Sequence, residues 1–478
     1  MGDRRRSAFA ALVAVATMIA ACSSQPAPKV VERKKKELPL ADPIEPTLWR
    51  EVMGELKGRK FEALDARIEG LVSAYEKDRV AGERPLFNVM WMFDLSDPSL
   101  ETIFEDWVLA DPDSYPARLG RGRYLGQQSA TRRGQRWASK TSTEQFKAAE
   151  DADVMARADL LKALSIHPGL MPAYCELISS EMGHDSAIAR KYFDEGIAAD
   201  PESLELRLIY LYSLQPKWGG SLAQIERVVD EAQTHADKNP ALKALLGFSA
   251  WVRGVEARDS GDYQGAAIFH AEALSKGEVD QWLRSRADLN IDLGRYGPAI
   301  QDLDKILAHN PNAPRALSSR GYAYWFDGNK ERAFRDLDLA VEIDANDDTL
   351  WRRGHVRCLA KDFEGALADY ERDLKMTPNN SFVETESAGI LVNVKKDYAE
   401  AERRLDEVLD RDPDQILAWY FHGKVLYLRK DPKAVDSLKH FLKIGTPHYG
   451  AERRDWCRKV IELPASDLFK KDLGPIPD

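Results

Sequence analysis

Residues 316–347 read ALSSRGYAYWFDGNKERAFRDLDLAVEIDAND and carry the clearest sign of the fold in the sequence. The turn signal Asp327-Gly328-Asn329 divides it into two halves, which are predicted to be helices. Gly321 lies in the first half and Ala333 in the second. Two helices approach closely only where the side chains between their backbones are no larger than a methyl group. The stretch therefore predicts a tight helical hairpin.

The same marks recur along the carboxyl half of the chain at spacings of 33 to 35 residues. The small residues of the first helices are Gly254, Ala287, Gly321, Gly354, Gly389 and Gly423. The alanines of the second helices are Ala266, Ala299, Ala333, Ala366, Ala401 and Ala434. The residues that close each unit, mostly prolines because proline cannot continue a helix, are Pro311, Ala345, Pro378, Pro413 and Pro447. Three series that drift together indicate an internal repeat.

These residues resemble the tetratricopeptide repeat, whose unit has the same length and the same marks. The resemblance implies an all-α fold, a right-handed superhelical solenoid. Six units are expected within 247–449, at about 247–279, 280–313, 314–346, 347–381, 382–415 and 416–449. A capping helix is expected at 450–463 and a loose tail at 464–478. Ala345 and Asp373 depart from the pattern, so looser packing is expected at their junctions.

Residues 47–246 precede the array and are less regular. Apolar residues at three- and four-residue steps predict helices there, as in the series Phe61, Leu64, Ile68, Leu71 and Tyr75. The latter part is repeat-like, since Pro168 and Pro201 lie 33 residues apart. Phe61-Glu62-Ala63-Leu64-Asp65, Trp107 and Pro216-Lys217-Trp218-Gly219-Gly220 resemble a helical domain of unknown function that occurs beside tetratricopeptide repeats in bacteria.

The amino terminus predicts an export signal, because Arg4, Arg5 and Arg6 precede a short apolar stretch at 8–21. Ile19-Ala20-Ala21-Cys22 resembles the lipobox of bacterial lipoproteins. The resemblance implies removal of residues 1–21, a diacylglycerol and usually a further acyl chain on Cys22, and anchoring to a membrane. Residues 22–46 are expected to form a flexible linker. Ser23 favours the outer membrane, facing the periplasm; an ordinary secretory signal with a chance cysteine is the alternative.

Composition and motifs argue against several classes of function. The formal net charge of -10 makes the chain a poor nucleic-acid ligand. Motifs for zinc, for phosphate-binding loops and for hydrolase nucleophiles are missing, so no catalytic residue, metal or cofactor is expected.

Three weaker motifs are given structural interpretations. Gly120-Arg121-Gly122 is interpreted as a turn between helices, and His355 with Cys358 as packed side chains. Asp302 with Asp304, and Asp336 with Asp338, recur at one repeat position, which predicts a solvated outer helix face.

The resemblance implies that the first helix of each unit lines a groove that binds a protein or peptide. The residues at the groove positions are Trp251, Arg284, Asp288, Ser318, Tyr322, Trp325, Trp351, His355, Asn393, Tyr420, Lys424 and Tyr427. Aromatic residues beside isolated polar groups are typical of protein interfaces. The leading hypothesis is a lipid-anchored scaffold for an envelope protein. A carbohydrate or peptidoglycan-fragment binder, and an enzyme with its site in residues 47–246, are the alternatives.

Overall fold

The computed structural model describes residues 47–133, 142–445, 451–464 and 466–477. The predicted signal peptide, Cys22 and the linker lie outside these described residues. In the described ranges all regular secondary structure is helical, which confirms the predicted all-α fold. No helix of the described chain combines the length and the apolarity that crossing a bilayer requires.

The region before the array contains ten helices within the described residues. They are α1 (Thr47–Lys57), α2 (Phe61–Lys77), α3 (Arg79–Met90), α4 (Glu101–Ala110), α5 (Tyr115–Arg133), α6 (Thr143–Ile166), α7 (Met171–Ser180), α8 (Ser186–Ala199), α9 (Leu204–Ser213) and α10 (Leu222–Gln233). From α5 onward, consecutive helices pack as neighbours, so helical pairing begins before the regular repeats do. A 3-10 segment, Pro240–Gly247, leads into the array.

The array consists of six helical pairs followed by one further helix. The pairs are α11 (Phe248–Asp259) with α12 (Tyr263–Leu274), α13 (Asp280–Asp292) with α14 (Tyr296–His309), α15 (Pro314–Phe326) with α16 (Lys330–Ile343), α17 (Asp347–Leu359) with α18 (Phe363–Met376), α19 (Ser381–Ile390) with α20 (Tyr398–Arg411), and α21 (Ile416–Leu428) with α22 (Ala434–Ile444). The last helix is α23 (Ala451–Ile461). Each first helix packs against its own second helix and against the next pair, as a solenoid requires.

Turns inside the pairs follow the predicted signals. Gly261 and Gly328 adopt left-handed φ values of 84° and 91°, a conformation that costs glycine little. The side chains of Asp262 and Asn329 then accept hydrogen bonds from the backbone N–H groups of Gly265 and Arg332, in the first turns of α12 and α16. Such caps satisfy donors that a helix start leaves open. Each turn therefore ends one helix and begins the next within a few residues.

The recurrent small residues lie where helices cross. A Cβ on Gly321 would come within 2.8 Å of Leu337, and one on Gly354 within 2.6 Å of the Tyr370 ring. Both distances are shorter than a carbon–carbon contact allows. A larger side chain at either position would push the two helices of its pair apart.

A ladder of ion pairs joins the two helices of the second, third and fourth pairs. Arg286, Arg320 and Arg353 each bind an aspartate sixteen residues later, at N–O distances between 2.6 and 3.1 Å. These aspartates are Asp302, Asp336 and Asp369, all of them buried. The prediction of a solvated face is therefore wrong for Asp302 and Asp336, whose carboxylates point between the helices to meet the guanidinium groups. Asp304 and Asp338 are about half exposed, with side-chain accessibilities of 44% and 55%.

Residues 47–133 pack against one edge of the array. The backbone N–H of Ser96 donates to the carboxylate of Asp344 at 3.0 Å, after the end of α16. Arg84 forms an ion pair of 2.9 Å with Asp280 at the start of α13. These contacts bridge about 200 residues of sequence, so no local pattern signals them. The amino-terminal region supports the second and third pairs from the side.

Gly120 and Gly122 lie inside α5, so the prediction of a turn there is wrong. A Cβ on Gly120 would meet the Trp107 ring at 2.6 Å, and one on Gly122 would meet Leu160 at 2.8 Å. The glycines are required for close packing, not for a change of chain direction.

The carboxyl end is ordered against the last pair. Trp456, Cys457 and Val460 of α23 are buried, as expected for a capping helix. Leu468 is only 5% exposed, and Phe469, Leu473 and Ile476 pack against the same core. The prediction of a loose tail is wrong for residues 466–477, because their apolar side chains have a surface to bury against.

Candidate functional site

The candidate site is the inner wall of the array, defined as the surface formed by the first helices of the six pairs. Several successive first helices contact one another, most extensively α15 and α17, whereas successive second helices are held further apart. The array therefore curves with its first helices on the inside. A partner held by the curve would contact these helices.

A row of rings runs along the middle of the inner wall. Tyr322 stacks on Trp351 with ring centroids 6.1 Å apart, and His355 lies 5.9 and 5.7 Å from these two rings. Phe382 of α19 meets Trp351 edge-on at 5.5 Å. Tyr322 and Trp351 are 6% and 9% exposed, so most of their surface is used in joining neighbouring pairs. Of the predicted groove residues, the structure brings these three together: Tyr322, Trp351 and His355.

Polar side chains link the first helices beside the rings. The Ser318 hydroxyl donates to Asp348 at 2.7 Å, and Asp348 also accepts from Arg352 at 3.0 Å. In the first pair the Trp251 indole N–H donates to the Ser285 hydroxyl at 2.8 Å. Ser318 is fully buried and Trp251 nearly so. Both predicted groove residues therefore hold the wall together and do not face a ligand directly.

Arg284 and Asp288 present charge on α13, where both are half-buried. Asp288 lies 3.9 Å from Arg258, whereas the Arg284 guanidinium donates only to its neighbour Gln281 on the same helix. Within the described parts of the chain Arg284 forms no ion pair with a carboxylate. Burial and the nearby Arg315 lower the pKa of Arg284, and the carboxylates of Asp288 and Asp348 oppose that shift without forming an ion pair with it.

Two partly buried titratable groups of the inner wall have shifted pKa values. Burial, with a contribution from Arg352, lowers the pKa of His355 to about 4, so this histidine is neutral at pH 7. Burial raises the pKa of Glu386 on α19, and Arg453 of α23 opposes that shift. Charges on this wall interact strongly because the surroundings screen them weakly.

Trp325 and Asn393 do not join the ring row. Trp325 packs edge-on against Phe334 of its own second helix at 5.8 Å, with the Lys330 ammonium 5.1 Å from the ring centroid. Asn393 lies in the π-helical turn Leu391–Lys395 after α19. Its backbone carbonyl accepts a hydrogen bond from the Lys396 ammonium. Both side chains lie toward the turn of their pair.

Tyr420, Lys424 and Tyr427 of α21 lie on the inner wall but are covered by the chain itself. The Tyr420 hydroxyl and the Lys424 ammonium both donate to the carbonyl of Pro477. Tyr427 contacts the rings of Trp456 and Phe469, at 5.3 and 5.6 Å. The carboxyl tail thus occupies the wall of the sixth pair.

Sequence reasoning missed Glu386, Arg352 and Asp348. Glu386 precedes Gly389 by three residues, as Trp351 precedes Gly354 and Tyr420 precedes Gly423. The repeat register was therefore sufficient to find it. Asp348 lies at the second position of its unit, so the repeat register was sufficient to find it as well. Arg352 lies between the groove positions, and only its ion pair with Asp348, which also contacts Ser318, reveals its place.

The buried acids of residues 47–246 act as structural groups. The Glu83 carboxylate accepts from the Ser203 hydroxyl and from the backbone N–H groups of Leu204 and Glu205, which caps the start of α9. Burial raises the pKa of Glu83 to about 8. Among the residues that the structure describes, no group of three or more His, Cys, Asp or Glu side chains is placed to hold a metal ion.

Comparisons with known proteins agree with this architecture. Residues 50–183 match the family model of a domain of unknown function, DUF4034, and residues 284–348 match that of the tetratricopeptide repeat. Mouse sperm-associated antigen 1 is 28% identical over 150 residues, 31% of this chain and 15% of that protein. The heat-shock protein cognate co-chaperone sgt12 of Aspergillus fumigatus is 29% identical over 162 residues, 34% of this chain and 43% of that one. This chain therefore spans less than half of each relative.

Among solved structures, a tetratricopeptide repeat protein from Parabacteroides merdae aligns with 18% identity and a TM-score of 0.39, over 54% of this chain and 97% of that one. The predicted domain of unknown function beside repeats is confirmed by the two family models, which fall on the irregular helices and on the second and third pairs. The chain thus carries a DUF4034 domain on the amino-terminal side of an array that includes tetratricopeptide repeats.

Proposed function

We propose that this protein is a membrane-anchored adaptor of the bacterial cell envelope, which binds a protein partner on the inner wall of the first four pairs. The repeats and the co-chaperone relative support a protein–protein interaction adaptor. The observation that carries the proposal is Arg284, a cation on the wall without an ion-pair partner in the described chain. A carboxylate side chain of a partner protein would complete it.

The same geometry disfavours the two alternatives. A carbohydrate binder needs exposed ring faces for stacking. Tyr322 and Trp351 stack on each other, and most of the surface of both rings is buried.

An enzyme with its site in residues 47–246 needs reactive groups in an accessible cleft. A cleft in this region, of about 520 Å³, is lined mainly by apolar residues such as Leu48, Leu71 and Val89. We therefore assign no catalytic role to the chain.

Anchoring through Cys22 confines the array to a membrane surface, and this raises the effective concentration of any partner held at the same membrane. We expect cells fed labelled palmitate to incorporate it into the wild-type chain. The Cys22→Ser variant should incorporate none, and the neighbouring Ser24→Ala variant should be labelled normally. Equal labelling of the Cys22→Ser variant, or none of the wild type, would refute the anchor.

Binding on the inner wall is tested with a charge reversal. Arg284→Glu should reduce capture of the partner from envelope extract by about tenfold or more, because a like charge then faces the partner's carboxylate. Arg335→Glu is the matched control, since Arg335 is exposed on α16, a second helix. Circular dichroism should show both variants folded. Capture that is equal for the two variants would contradict the proposal.

A further inference from the structure

The carboxyl tail follows the inner side of α21 in the direction opposite to the helix. Phe469, early in the tail, contacts Tyr427 near the end of α21. Pro477, late in the tail, is bound by Lys424 and by Tyr420 nearer the start of α21. The tail therefore lies lengthwise on the wall, as a bound peptide would.

The contacts have the two parts that peptide recognition needs. Apolar side chains of the tail pack against Tyr420, Tyr427 and Trp456 within one core. A backbone carbonyl accepts hydrogen bonds from an ammonium and a phenol. Apolar anchors give affinity and side-chain preference, while the carbonyl contact fixes the position of the backbone at Pro477.

Capping of the array does not by itself explain these contacts. Helix α23 already covers the open side of the sixth pair, through Trp456, Cys457 and Val460. The tail adds a second cover, and it lies on groove positions of the wall. Lys424 is only 4% exposed, and a buried ammonium needs acceptors, one of which the tail supplies.

We propose that the wall of the sixth pair is a second peptide-binding site, which the chain's own tail occupies in cis. It accepts a segment with a bulky apolar residue in a turn, such as Phe469, followed seven residues later by an apolar residue and proline, as in Ile476-Pro477. A partner segment of this chemistry binds when it displaces the tail. The inference rests on the proposed function only in treating the inner wall as a surface for protein segments.

The test uses the tail itself as the probe. A fluorescent peptide with the sequence of residues 464–478, PASDLFKKDLGPIPD, is titrated into the chain that ends at residue 463 and into the full chain. We expect saturable one-to-one binding to the shortened chain and at least tenfold weaker binding to the full chain. Lys424→Met in the shortened chain should weaken binding by about tenfold or more, because a charge-assisted hydrogen bond is lost. Lys439→Met, at an exposed position on α22, should leave binding unchanged.

A second variant keeps the test valid if the shortened chain does not fold. In the full-length chain, Phe469→Ser with Ile476→Ser should release the tail and give the wild-type peptide access to the site. A peptide that fails to bind either folded variant, or that binds the unmodified full chain equally well, overturns the inference. Failure here leaves the Arg284→Glu result untouched, since Arg284 lies on the second pair, so the two proposals fail separately.

Discussion

The amino-terminal region and the first three repeat pairs share one hydrophobic core, whereas the fifth and sixth pairs share a second core with α23 and the tail. The fourth pair lies between them, in small clusters around Trp351, Tyr370 and Leu350. In the first region, no segment of the described carboxyl tail lies on the inner wall, which is left to a partner. In the second region the carboxyl tail covers the inner wall of the sixth pair. The comparison shows that one repeat pattern serves both as an open binding surface and as an occupied one.

The two regions also differ in the polar contacts within each pair. In the third pair Arg320 is 5% exposed and binds both Asp336 and Asp304. In the fifth pair a hydrogen bond of 2.8 Å from Arg404 to Ser387 replaces the buried ion pair. Burial raises the pKa of Asp336 although Arg320 opposes the shift, so desolvation is costly even for the paired carboxylate. Removing one partner leaves that cost without compensation.

Arg320→Ala gives the largest expected effect. We expect a loss of about 3–5 kcal/mol in the unfolding free energy around α15 and α16, because a buried carboxylate loses its cation. Arg404→Ala should cost at most about 1 kcal/mol, since that side chain is partly solvated. Local opening energies from amide hydrogen exchange measure both changes. Equal losses for the two variants would remove the difference between the regions.

Leu468→Ala tests whether the second core depends on the tail. Truncating this buried side chain should lower the opening free energy of α21, α22 and α23 by about 2–5 kcal/mol. Exchange in α13–α16 should not change, because those helices belong to the other core. Lys470→Ala, at an exposed position in the tail, is the control. A uniform loss along the chain would mean that the two cores unfold together.

Asp373 lies at the junction of the two regions and gives the smallest effect. Its carboxylate is buried, finds no hydrogen-bond partner in the described chain, and has a pKa raised by burial and by Asp347 to about 8. Between pH 4 and 8 the unfolded chain releases this proton and the folded chain retains it. Stability contributed by the group therefore falls as pH rises through that window.

Asp373→Ala restores the alanine usual at this position and should stabilise the chain by about 1–3 kcal/mol above pH 8, with a smaller gain at pH 5. Asp410→Asn, at an exposed position on α20, should leave the pH dependence unchanged. Unfolding monitored from pH 5 to 9 supplies the measurement. A gain that does not vary with pH would show that the carboxyl group is ionised in the folded chain throughout.

The features that recur in each unit could be predicted from the sequence. Spacings of 33 to 35 residues located the pairs, the turns and the small residues at the crossings, because packing that recurs leaves a recurrent pattern. Gly120 and Gly122 were misread because two glycines close together suggest a turn, and only the Trp107 ring and Leu160 show that they are helical. Asp302 was misread because recurrence does not distinguish a solvated carboxylate from a paired one.

The occupied part of the wall was beyond the reach of sequence patterns. Tyr420 and Pro477 are 57 residues apart, and Pro477 belongs to a tail that is not part of the repeat, so no period connects them. The same holds for Ser96 and Asp344, 248 residues apart. Arg284 and Lys424 both lie at groove positions. Arg284 forms no ion pair in the described chain, whereas the carboxyl tail covers Lys424. Position in the repeat predicted which side of the array a residue faces, but not what it meets there.

Binding of a partner requires that the inner wall of the first four pairs be open. A photo-crosslinking amino acid placed at residue 284 and, separately, at residue 335 in living cells probes this wall and a second helix outside it. We expect a discrete adduct with an envelope protein from position 284 and none from position 335. Adducts of equal yield from both positions, or from position 335 alone, would contradict it.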